Sequence, residues 1–208
     1  MTLRVRGLTA ILACAGLVCG AVAVAASGVI QRRDGPPSRG PAARQMRAFA
    51  APRSAATAVP DPARGGLAQM PGVQIEHARQ LISGIGTQGY AVSAAPTSNG
   101  GVCTAGPVGG GCFPEFDSNG IAFSTGMDND GPASPTDREL IAGVASDDVR
   151  RIDAVTNAGK LAVPLRNNAF IYEAPAVGVW ADALEVTFVD GSKTRAVVAN
   201  ANRVEPIP

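Results

Sequence analysis

Cys103 and Cys112 stand in GGVCTAGPVGGGCF, residues 100–113. Two thiols so spaced can close a disulfide, hold a metal or supply a nucleophile. A structural zinc needs four ligands, and neither histidine nor further cysteine lies nearby. A reactive thiolate needs a basic residue or histidine to lower its pKa, and the stretch has none. Gly106 and the glycines at 109–111 can take positive φ, so the chain can fold back until the two Cβ atoms stand ~3.8 Å apart. The pair reads as a structural disulfide in a glycine-rich loop. Cys14 and Cys19 fall in an apolar run and read as small apolar residues.

The remaining chemistry-bearing residues offer less. GMDNDGPASPTD places Asp128, Asp130 and Asp137 near Gly131, but Gly126 occupies the first calcium-ligand position of an EF-hand loop and Asp137 the place of its bidentate glutamate. A solvated acidic turn, stiffened by Pro132 and Pro135, accounts for the pattern. His77 is the sole histidine, and no local motif gives it a nucleophile or an orienting carboxylate. GIGTQG resembles a dinucleotide fingerprint in letters only, because it follows a helical pattern. Acidic residues are plentiful, yet none sits in a motif that raises its pKa as paired-carboxylate catalysis requires. Trp180 lies between two β-prone runs and is expected to cap the core, since only 4% of residues are aromatic. No catalytic residue, cofactor site or metal site is assigned.

The elements that must position these residues begin with an apolar run. Arg4 and Arg6 precede residues 8–30, which carry no charge and exceed the roughly 20 residues that span a bilayer. Val24, Ala25 and Ala26 before Ser27 suit a signal-peptidase site, whereas the length suits an anchor. A lipobox ending at Cys14 is disfavoured, because the apolar run continues past it. Arginines after the run outnumber those before it, which by the positive-inside rule favours a cytoplasmic downstream chain. The cysteine pair argues for export, since disulfides persist in oxidising compartments. Export is adopted here.

Residues 31–72 hold seven prolines and seven arginines against Asp34 and Asp61, a charge of +5. With no sustained apolar period, the stretch reads as a disordered, extended, basic linker, able to meet anionic lipid or another envelope component. From residue 73 to the end nine basic and fifteen acidic residues give −6. That balance, with few aromatics, argues against a nucleic-acid partner.

VQIEHARQLISGIG, residues 73–86, places Ile75, Ala78, Ile82 and Ile85 at helical spacing and predicts one amphipathic helix. Beyond it the period changes to two. ALEVTFVDGSKTRAVVA predicts a hairpin turning at Asp190 and Gly191, and VRRIDAV and KLAVPLR predict another across Asn157, Ala158 and Gly159. Pro164 marks the later strand as an edge. GYAVSAA, NGIAFST, RELIAGVA and NAFIYE add four short strands. The expected fold over residues 73–208 is mostly β, an antiparallel sandwich or small barrel with the helix against one end or edge.

LIAGVASDDVRRIDAV, VPLRNNAFIYE and LEVTFVDGS, with the glycine-flanked cysteine pair before them, resemble a β domain recurrent in exported proteins of high-GC actinobacteria. The resemblance covers residues 75–199. It implies a secreted or membrane-anchored β domain and supplies no activity and no site residues. The function expected is a non-catalytic extracytoplasmic module that recognises a protein or envelope component. A sensor domain relaying through the apolar segment, or an exported hydrolase, are the alternatives.

Overall fold

The computed structural model describes residues 40–52, 54, 57–128 and 137–199. The apolar run at residues 8–30, the first part of the expected linker and Asp130 lie outside the described residues. Among the described residues no helix is long and apolar enough to cross a membrane.

The fold is mostly β and antiparallel, as expected, and its strands form three four-stranded sheets. The first is a meander of β1 (Arg79–Ile85), β2 (Tyr90–Pro96), β3 (Val102–Gly106) and β4 (Gly109–Phe113). The second holds β5 (Ile121–Met127), β6 (Glu139–Ala145), β9 (Leu165–Arg166) and β10 (Ala169–Glu173), in the order β5-β6-β10-β9. The third holds β7 (Val149–Thr156), β8 (Gly159–Val163), β11 (Ala181–Phe188) and β12 (Lys193–Val197), in the order β12-β11-β7-β8. Both predicted hairpins, β7–β8 and β11–β12, are present. Pro164 sits where the chain leaves β8, an edge of the third sheet, and enters β9, an edge of the second. A residue without an N–H loses no ladder bond at such a crossing.

The second sheet buries both faces. Ala142, Val144, Ala169 and Ile171 pack with Leu81, Ile82, Val92 and Val102 of the first sheet. From the opposite face, Ile141, Phe170 and Tyr172 pack with Ile152, Leu184 and Val186 of the third. This explains the sequence ELIAGVA, which is buried at every position and so shows no polar alternation. Gly143 is required at its centre, since a Cβ there would run into the Ala122 carbonyl and the Phe123 and Phe170 side chains.

Two expectations are corrected. The helix expected at residues 73–86 is a short 3-10 turn, Ile75–His77, followed by strand β1. Register shifts between Gln80 and Ile82 and between Ile82 and Ile85 break the period of two, so Leu81 and Ile82 are both buried. Such bulges turn successive side chains to one side and imitate helical spacing. The helical segments lie instead within residues 40–72, expected as linker: a 3-10 turn at Ala42–Gln45, α1 (Arg47–Ala50) and α2 (Asp61–Ala68). Ala42 and Met46 enter the core between the first two sheets, and Val59 and Leu67 enter a smaller core with Ala78, Ala95 and Cys103. Backbone bonds from Ala42 to the Pro114 carbonyl and from Ala43 to the Gly100 carbonyl fix the start of this strap. Single apolar side chains that each find a socket leave no periodic trace in the sequence.

Candidate functional site

Cys103 and Cys112 are joined, as expected, but not within a loop. They are directly opposed residues of the β3–β4 hairpin, with Cα atoms 4.0 Å apart. Pro107 and Val108 form the turn and Gly109 takes φ 86°, the left-handed conformation that glycine adopts without a Cβ penalty. Cys103 is fully buried beside Leu67 of α2, while Cys112 faces outward, its Sγ 3.7 Å from Met70 Sδ. The cystine thus forms part of the bed on which α2 lies. Replacing both cysteines with serine is expected to cost about 2–3 kcal/mol from the short closed loop. Urea denaturation of the oxidised protein and the double variant checks this, and a difference below about 0.5 kcal/mol would show that the hairpin holds itself.

In the described part of the acidic turn, Asp128 is paired with an arginine. The Asp128 carboxylate accepts hydrogen bonds from the Arg138 backbone N–H at 2.9 Å and from Arg138 Nε at 3.3 Å. Arg138 Nη2 also reaches Glu173 Oε1 at 2.9 Å and Thr87 Oγ1 at 2.9 Å. Asp137 is half-buried beside this network, and Asp130 is outside the described residues. Among the described residues no three His, Cys, Asp or Glu side chains converge. His77 is exposed at the end of its 3-10 turn, with Glu76 Oε1 3.8 Å away.

Trp180 does not fill the core role expected of it. It is half-buried on the loop between β10 and β11, where its backbone N–H donates to Asn157 Oδ1 at 3.1 Å. Phe116 and Phe170 are the largest fully buried side chains instead.

On the outer face of the third sheet, Asp153 and Glu185 stand directly opposite each other across β7 and β11. They line a cavity of about 370 Å3 with Arg150, Arg151, Lys160 and Lys193. Lys160 Nζ and Lys193 Nζ lie 2.9 and 3.0 Å from the Glu185 oxygens, and Arg151 Nη2 lies 2.7 Å from Asp153 Oδ1. Hydrogen bonds from Lys160 and Lys193 hold the Glu185 carboxyl below the usual carboxylate range. A general acid needs the opposite shift. The arrangement is an ion-pair ladder that relieves the repulsion of two opposed carboxylates.

A second concave surface lies between α2 and the outer face of β2, β3 and β4. It encloses about 490 Å3, with Pro60, Pro62, Met70, Tyr90 and Pro107 as walls and Ala105, Gly106 and Gly110 among the floor residues. Packing of α2 over the cystine builds one wall, and the small floor residues leave the sheet backbone close to the opening. Of these residues, the sequence singles out only Gly106 and Gly110, as glycines that let the cysteine pair close, and not as part of a groove. Pro60 and Pro62 read as linker, Pro107 as part of the glycine-rich cysteine stretch, and Tyr90 is a single aromatic at the start of a strand.

No family model matches this chain, and no curated protein and no solved structure matches it. Its function is argued from the chemistry of these surfaces.

Proposed function

We propose that the chain is a non-catalytic extracytoplasmic binding module, tethered at the cell envelope through its basic N-terminal stretch. We place an extended segment of a protein partner in the groove beneath α2. The scaffold reads as a layered sandwich whose middle sheet supplies two cores. The observation that carries the reading is the groove itself. Proline walls lose little conformational entropy on binding, the partly exposed edge of the Tyr90 ring adds apolar surface, and a floor of small residues admits a second backbone. Extended, proline-containing segments suit such a surface because their own conformation is largely preformed. The disulfide supports the extracytoplasmic placement, because such bonds persist in oxidising compartments.

Gly66 gives a direct test. It lines the groove from α2, and a Cβ built on it meets nothing within 4 Å. Gly66→Trp is therefore expected to obstruct the groove while leaving the fold intact. With the full chain and a panel of synthetic proline-rich decapeptides, amide resonances of Tyr90, Gly106 and Gly110 should shift saturably in the native protein. In Gly66→Trp the affinity should fall at least about tenfold, the equivalent of ~1.4 kcal/mol. Peptide binding that survives the obstruction, or a panel that shifts none of these resonances, refutes the groove as the site.

A further inference from the structure

Where α1, the β6–β7 turn and the β9–β10 turn meet, a separate cavity of about 280 Å3 is lined by Arg47, Asp147, Arg150, Arg166, Asn167 and Asn168, among others. Asn167 and Asn168 take φ 48° and 64° and form the two-residue turn that joins β9 to β10. Asparagine tolerates this left-handed pair better than other side chains, so the turn is well defined. It fixes the backbone of Arg166 at the end of β9, while Arg150 is carried by β7, which is paired on both sides.

The one carboxylate lining the cavity is already engaged. Asp147 accepts the Arg47 backbone N–H at 3.0 and 2.9 Å and Asn168 Nδ2 at 2.9 Å, and Arg47 Nε stands 3.6 Å from it. Arg150 and Arg166 form no ion pair among the described residues. The lining residues comprise three arginines and one aspartate, a formal excess of two positive charges on a domain whose residues 73–208 sum to −6, and Arg150 also borders the ion-pair ladder of the third sheet. A planar guanidinium matches the oxygens of phosphate two at a time, and a phosphate monoester carries close to two negative charges at neutral pH.

We infer that this corner is a binding site for a phosphate group, held by Arg150 and Arg166. A monoanionic carboxylate would leave one of the two charges unmatched. The inference does not rest on the groove beneath α2.

Inorganic phosphate, titrated into the full chain and followed by calorimetry, is the direct probe. Saturable binding is expected, weakened at least about tenfold in the Arg150→Gln/Arg166→Gln double variant. Arg195→Gln removes a charge from β12, away from the cavity lining, and should leave the affinity within about twofold. Gly66→Trp should bind phosphate normally, which separates this site from the groove. Vesicles of phosphatidylcholine with phosphatidic acid distinguish the two sources. Retention on them that phosphate competes away assigns a lipid headgroup, and phosphate binding without retention assigns a soluble ester. The inference is overturned if phosphate does not bind saturably, or if Arg195→Gln loses as much affinity as the double variant.

Discussion

Arg138→Ala is expected to lower the stability of the folded chain by about 3–5 kcal/mol, because it removes one partner from a partly buried ion network and leaves the others behind. The Glu173 side chain is only 9% exposed and that of Asp128 13%. Thr87 is bound into the same group. Its backbone N–H donates to Glu173 Oε2 at 2.8 Å and its hydroxyl to Glu173 Oε1 at 2.7 Å. The network therefore ties the β1–β2 turn of the first sheet to β10 and the β5–β6 connection of the second. Adding Asp128→Asn and Glu173→Gln to Arg138→Ala removes the stranded charges and should recover a good part of the loss. Urea denaturation of the single and triple variants measures both. A cost below about 1 kcal/mol for Arg138→Ala would reduce the network to an ordinary surface pairing.

Asn168→Ala should cost about 3 kcal/mol, for two separable reasons. Alanine at φ 64° bears the left-handed penalty of roughly 1–2 kcal/mol. Its methyl group also abandons three partners of a buried amide. Asn168 Nδ2 donates to the Ala145 carbonyl at 3.0 Å and to Asp147, while Oδ1 accepts the Ala48 N–H at 3.1 Å. Leaving such groups unpaired costs about 1–3 kcal/mol. Asn168→Gly keeps the backbone conformation and loses only the side-chain bonds, so it should be the milder change by about 1 kcal/mol. Because Ala48 belongs to α1, both variants should loosen the strap and speed tryptic cleavage after Arg44 and Arg47. Equal denaturation midpoints for the alanine and glycine variants would remove the backbone contribution, and unchanged cleavage rates would remove the link to the strap.

Much of the β framework could be read from residue order. In β11 and β12 alternation follows a one-sided face, and in ELIAGVA an unbroken apolar run follows burial on both sides. Pro164 marked an edge, and the cysteine spacing supplied the disulfide. These signals are local, since each depends on neighbours a few residues away. Strand β1 reads as a helix because its bulges place Leu81 and Ile82 on the same side. The β3–β4 hairpin reads as a loop in the sequence because glycine carries no face to alternate.

The sites lay beyond that range. Met70 and Tyr90 share a groove only because α2 packs over the hairpin. Arg150 and Arg166 share a cavity only because the chain leaves the third sheet at Pro164, enters the second as β9 and turns back within it through Asn167 and Asn168. Residue order suffices to mark most of the strands after β1, several of their turns and the cysteine pairing, because backbone preference and side-chain alternation act between near neighbours. Which sheet each strand joins and which distant side chains face one another is set when the three sheets pack together. Those choices depend on how well whole faces pack, and no short stretch of sequence contains a whole face.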